Sequence, residues 1–313
     1  MDVLKRAVES LLELPSIASW PEAQAVLRRA AEGEPRDWRL PALACEAVGG
    51  DPERAIPSVV AIAAAQISII LIDDMLDADP RGEHQRRGMP SAANLAAAFQ
   101  AAALEAIADH DCDPAVKVAA LQSLNHMLLT TAFGQYLDSQ NPGDEAAYWR
   151  VVQTKSAPFF GAALHVGALL GGADGEAADG IRQLGCLYGE MIQIHDDLND
   201  SMAVQANPDW TQGRSPLPIL FAQLVDHPDR ARFIELRQAI PDPEALAEAQ
   251  TILIRRGAIS YGIHHLLERY QKGQALLAAM AVPRRDLLET LLADLINPVQ
   301  ALFVAVGAEK IPY

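Results

Sequence analysis

The segment Ile67-Ser68-Ile69-Ile70-Leu71-Ile72-Asp73-Asp74-Met75-Leu76-Asp77-Ala78-Asp79 runs from unbroken apolar side chains into four carboxylates within seven residues. On a helix, Asp73 and Asp77 are four apart and share a face, with Asp74 beside them. Like charges this close repel, so a cation belongs among them, and a hard divalent metal fits oxygen donors. A second cluster of the same kind follows far downstream, Ile192-Gln193-Ile194-His195-Asp196-Asp197-Leu198-Asn199-Asp200. The rest of the chain reads as the scaffold that brings the two clusters face to face.

Working outward, half of the 313 residues are apolar but only 5% are aromatic. Abundant Ala and Leu favour helix over sheet. Proline, glycine and polar breaks divide the chain into amphipathic helices over 1–31 (interrupted near Pro15 and Pro21), a polar linker over 32–41, and a helix from Ala42 to Val48. The helix of the first cluster follows, then a basic loop over 80–90. Further helices are expected over 91–110, 114–140, 144–172, 175–204, 243–255, 257–280 and 283–305, with turns over 227–243. The expectation is all-α: a single large helical bundle domain spanning 1–313.

A net charge of −16 argues against nucleic acid as a partner. Three scattered cysteines, Cys45, Cys112 and Cys186, give neither a zinc pattern nor a disulfide framework, and a reducing cytoplasm is the expected setting. The longest apolar run, 61–72, is broken by Gln66 and Ser68 and is shorter than the ~20 residues of a membrane span. No transmembrane segment is expected.

Two carboxylate-bearing helix faces can hold Mg²⁺ ions completed by water and substrate phosphate. Such a site neutralises a diphosphate and turns it into a leaving group. Arg86, Arg87, Lys155 and Arg214 would supply cations, and Ile69, Leu76, Phe159, Phe160 and Ile192 an apolar wall. An anionic head with an apolar tail describes a prenyl diphosphate.

Six stretches in order resemble the trans-isoprenyl diphosphate synthases, the polyprenyl synthetase family. They are Asp73-Asp74-Met75-Leu76-Asp77, Arg86-Arg87-Gly88-Met89-Pro90, Gly134-Gln135-Tyr136-Leu137-Asp138, Lys155-Ser156, Gln193 with Asp196-Asp197-Leu198-Asn199-Asp200, and the segment from Asp209 through Arg214 to Pro218. The resemblance implies an isoprenoid-synthase helical fold, a homodimer, and Mg²⁺, three ions with substrate bound. It implies metal ligation by Asp73, Asp74, Asp77, Asp196, Asp197 and Asp200, with Lys155 also catalytic. It implies substrate contacts from Arg86, Arg87, Gln193 and Arg214. The substrates so implied are an allylic prenyl diphosphate, ionised to a carbocation, and isopentenyl diphosphate. At Ser68 and Ile69 the family closes its tunnel with a bulky aromatic; the small Ser68 leaves a deeper pocket for a tail of roughly C15–C20 or more at ~1.5 Å per helical residue, with Phe159 on the pocket wall.

The chain departs from the family where the second diphosphate binds. Glu34 and Pro35 stand in place of lysine and arginine, and Gln66 in place of a histidine; Arg87 is kept, and Arg36 or Arg39 is the nearest substitute. A glutamate for a phosphate-binding lysine reverses a charge. Three activities therefore stay open. The first is chain elongation with isopentenyl diphosphate. The second is a terpene synthase or allylic diphosphate hydrolase using no second diphosphate. The third is a non-catalytic subunit of an active synthase.

Overall fold

A computed structural model describes residues 2–305. Among the described residues there are helices and no strands: α1 Val3–Glu13, α2 Pro15–Ala18, α3 Pro21–Glu32, α4 Leu40–Ala47, α5 Ile56–Leu76, α6 Glu83–Arg87, α7 Met89–Ala108, α8 Pro114–Asp138, α9 Glu145–Lys155, α10 Ala157–Gly171, α11 Gly175–Ser201, α12 Pro208–Thr211, α13 Leu217–Leu224, α14 Arg230–Ala239, α15 Pro243–Arg255, α16 Ala258–Ala279 and α17 Arg285–Ala305. Aspartates supply many of the starts. The side chains of Asp113, Asp144, Asp174 and Asp242 accept backbone N–H groups at the heads of α8, α9, α11 and α15. Part of the acidic excess thus has a folding role.

Helices α5 and α10 form the centre, as their near-continuous apolar sequences require. α5 packs on α7, while α10 packs on α4, α8 and α11. Gly185 lets α11 close on α10, since a Cβ there would lie 2.5 Å from the Phe160 carbonyl oxygen. A second, smaller hydrophobic cluster joins Trp210, Ile219, Phe233, Leu236, Leu246 and Leu253 on α12 to α15.

Four expectations are corrected. The basic loop over 80–90 contains the short α6, Glu83–Arg87, and the next helix already begins at Met89. The stretch 144–172 is two helices, broken at Ser156, because Pro158 lacks an N–H and favours the first turn of a new helix. Within 227–243 lies α14, whose buried Phe233 and Leu236 outweigh the flanking turn signals. The linker 32–41 contains a 3-10 turn, Arg36–Arg39, that buries Trp38. The apolar run near the first cluster also belongs to a longer element. Pro52–Leu76 and Met89–Ala108 are both long and apolar enough to cross a membrane by length and composition. The first is largely buried in the fold, with Ser68 turned inward.

Candidate active site

α5 and α11 end at one cavity of about 240 Å³, which also receives the ends of α8 and α9 and the connection that follows α11. Asp73 and Asp77 line it on one side, Asp196 and Asp200 on the other, with Asp138, Asp209, Lys155, Gln193 and Arg214 between them. Asp73 and Asp77 of the first cluster thus share one cavity with Asp196, Asp197 and Asp200 of the second.

The first jaw carries built-in cations. Lys155 Nζ lies 2.6 Å from Asp138 and 3.2 Å from Asp73. Burial alone would lower the Lys155 pKa, but these two carboxylates more than offset it and raise it. The Arg214 guanidinium forks onto both oxygens of Asp77. Gln135 donates to Asp73. Gly134 makes the approach of Lys155 possible: a Cβ there would lie 2.3 Å from the Lys155 backbone nitrogen.

The second jaw is different. Among the described residues no Lys or Arg pairs with Asp196 or Asp200. Crowding by protein raises the Asp196 pKa although its side chain opens to solvent, with nearby Asp200 adding to the shift. Burial, then Asp200, pushes Asp209 up to about 6. Asp197 also lines the cavity but is buried. It accepts from Tyr148 Oη (2.7 Å), the Leu217 N–H (2.8 Å) and Gln193 Nε2 (2.8 Å), and burial still pushes its pKa to about 7. Gln193 is fixed in turn by the Ser156 hydroxyl at 2.6 Å, so the break between α9 and α10 serves the site.

Other candidates lie elsewhere. Asp74 turns away from the cavity and lines a second one, of about 230 Å³, with Arg29, Arg81, Glu83 and Arg86. Burial and the Asp79 and Asp73 charges push its pKa to about 6. Arg86 is exposed there. Arg87 Nε donates to Glu83 at 2.6 Å, and Arg29 reaches the same oxygen at 2.7 Å. Gln66 accepts from Trp38 Nε1 (2.6 Å) and donates to Asp37 (2.9 Å). Arg39 pairs with Asp2 at the rim of a third, apolar cavity. Ser68 is buried, Ile69 half-buried, and Phe159 buried edge-to-face against Phe160. Leu76 is 56% exposed and forms no inner wall.

Gln135, Asp138, Tyr148 and Asp209 were not named as site residues from sequence. The first two stand in the quoted Gly134-to-Asp138 stretch and Asp209 opens the last quoted segment. Tyr148 carries no signal beyond its place on a helix.

The donor set fits Mg²⁺. The carboxylates are hard oxygen ligands arranged as opposed pairs. Among the described residues no group of three or more His, Cys, Asp or Glu side chains is gathered closely enough to hold a metal ion by itself.

The profile of the polyprenyl synthetase family matches residues 39–253. The geranylgeranyl diphosphate synthase of Methanosarcina mazei is 30% identical over 174 residues, 51% of this chain and 52% of that protein. The alignment thus spans about half of that relative's length. The short chain isoprenyl diphosphate synthase of Methanothermobacter thermautotrophicus is 29% identical over 238 residues, 71% of this chain and 73% of that one. Among solved structures, a polyprenyl synthetase from Streptomyces coelicolor superposes with a TM-score of 0.81 at 20% identity, covering 94% of this chain and 96% of its own. A polyprenyl synthase from Caulobacter crescentus, complexed with calcium and isoprenyl diphosphate, gives 0.78 at 21% identity over 94% and 93%. An all-α fold shared with such structures, two facing carboxylate clusters and a profile match over more than half its length lead to one conclusion: the chain belongs to the polyprenyl synthetase family.

Proposed function

We propose that this protein is a Mg²⁺-dependent prenyltransferase that joins an allylic prenyl diphosphate to isopentenyl diphosphate. The product would be a trans-prenyl diphosphate of roughly C15–C20 or longer, by the helix-rise argument above. The observation that carries the reading is the pairing of Asp73 and Asp77 with Asp196 and Asp200 around one cavity that also holds Lys155 and Arg214. Mg²⁺ held by these carboxylates, three ions with substrate bound, would neutralise charge on the departing diphosphate.

The chain's own residues do the rest. Lys155 and Arg214 are already aimed into the cavity and can turn from carboxylate to phosphate oxygens. Gln193 and Asp197 hold the end of α11 in register. The allylic C–O bond breaks and its electron pair leaves with the diphosphate. The isopentenyl double bond attacks the cation, and the released diphosphate takes the proton. The relatives' printed names, geranylgeranyl and short chain isoprenyl diphosphate synthases, support this class of substrate. A homodimer is supported by the exposed apolar side chains Val118, Leu129, Phe133 and Tyr136 along α8. A cytoplasmic setting is supported by three unpaired cysteines.

A second reading has a specific observation behind it. Three of the side chains available to a second diphosphate are already engaged, Arg87 by Glu83, Gln66 by Trp38 and Asp37, and Arg39 by Asp2, while Arg36 is exposed and pairs with no carboxylate among the described residues. On that reading the cation meets water, another nucleophile or its own double bond. One experiment separates the two. Purified protein is incubated with Mg²⁺ and geranyl, farnesyl or geranylgeranyl diphosphate, with and without isopentenyl diphosphate, and the products are identified. Longer diphosphates establish elongation. Alcohols or hydrocarbons formed without isopentenyl diphosphate establish the second reading, and no turnover at all would sink both.

A further inference from the structure

The connection 207–216 brings Arg214 to Asp77, yet it contains only the short α12 and Gly213, whose φ is 71°. Holding a guanidinium in two-pronged register from such a segment requires anchors, because ordering it costs conformational entropy. Asn207 Nδ2 donates to the Asp200 carbonyl (3.1 Å), and Asn141 Nδ2 to the Gly213 carbonyl (3.0 Å). A third anchor comes from outside the cavity. Arg237, on α14, sends Nη2 to the backbone carbonyl of Arg214 at 2.7 Å and more weakly to that of Asp209 at 3.4 Å. Its guanidinium lies 5.9 Å from the centre of the Trp210 ring.

An arginine is a poor choice for plain packing here. Its Nη1 is buried without a hydrogen-bonding partner. Burial lowers its pKa, with Asp209 the opposing charge. Neighbouring Phe233 and Leu236 fill the α14 interface with apolar groups, and an apolar side chain at 237 would avoid the desolvation cost. What an apolar side chain cannot do is fix the Arg214 carbonyl. The geometry points to Arg237 as a positioning residue: it sets the backbone of Arg214 and, through it, how the Arg214 guanidinium enters the cavity. The inference rests on reading that cavity as a diphosphate clamp, and it holds whichever acceptor the cation meets.

The test is a double-mutant cycle on the full chain, read by calorimetric binding of inorganic pyrophosphate with Mg²⁺, so that turnover is not needed. Arg214→Gln and Arg237→Met should each weaken binding about tenfold, the scale of one charge-assisted hydrogen bond. The double variant should be about as weak as Arg214→Gln alone, because the second change then has nothing left to position. In turnover, KM for the allylic diphosphate should rise more than kcat falls. Wild-type affinity in Arg237→Met overturns the assignment, as do losses that multiply to about a hundredfold in the double variant. Should Arg237→Met not fold, Arg237→Lys carries the same cycle with an expected loss of about threefold, and wild-type affinity there overturns it equally. If Arg214→Gln alone binds like wild type, the clamp reading itself falls, which the cycle distinguishes from a failure at Arg237.

Discussion

Asp73 and Asp77 each hold a Lys or Arg, whereas among the described residues no Lys or Arg pairs with Asp196 or Asp200, and Asp196 has only the His195 ring nearby, at 3.9 Å. Both jaws are needed to straddle a diphosphate, so Asp73→Ala and Asp196→Ala should each cut turnover of an allylic diphosphate by about 100-fold or more. Normal turnover in either variant removes that carboxylate from the site. Asp209 offers a different test, of stability. Its folded-state pKa of about 6 lies above the ordinary 3.8, so ionising it destabilises the fold. That cost is absent below 3.8, grows as pH rises, and is complete above about 6. Asp209→Asn should therefore raise Tm in metal-free buffer at about pH 8 by roughly 2–4 °C, with the gain shrinking toward about pH 5. A gain of equal size at both values would assign it to packing instead. Single residues also mark the limit of reading from sequence. Asp73 and Asp77 share the cavity because they are one turn apart, which spacing predicts. Asp74 is rotated about 100° from Asp73 and reaches another cavity, which the same spacing also contains. The burial of Asp197 and its hydrogen bond from Tyr148 depend on tertiary packing and leave no local trace.

At the scale of elements, α8 and α9 meet through Gly134. Its missing Cβ admits the Lys155 backbone, and Lys155 then spans Asp138 and Asp73. Gly134→Ala must push α9 back, against backbone atoms that cannot swing aside. The expected cost is about 1–3 kcal/mol of stability, together with weaker pyrophosphate binding. Chemical unfolding and calorimetry would show both, and a Tm loss with unchanged binding would detach Gly134 from the site. The short α6 makes a second test. Glu83 occupies Arg87 and Arg29 from within that element. Glu83→Gln should release both guanidiniums and lower KM for isopentenyl diphosphate by about tenfold, if Arg87 contacts it. An unchanged KM would place that contact elsewhere. Helices α5, α7, α8 and α11 were legible from period and punctuation. The split at Ser156 was not, because Pro158 reads equally as a kink, and α14 was hidden by the prolines around it.

Across the whole molecule, composition was enough for an all-α architecture, and two aspartate clusters for the place where it opens. Neither shows that the apolar interior divides. The large core surrounds α5 and α10, whereas Trp210, Ile219, Phe233 and Leu246 form a separate one beneath the connection that carries Arg214. Two cores imply two cooperative units of unequal strength. Amide hydrogen exchange should reveal α14 and α15 opening together, ahead of α13, whose Leu217 and Leu220 belong to the large core, and well before the amides of α5 and α10 exchange. One common rate throughout would argue for a single unit. The smaller unit can then breathe while the larger stays folded, so the connection that carries Arg214 can loosen and re-form without melting the bundle around α5 and α10.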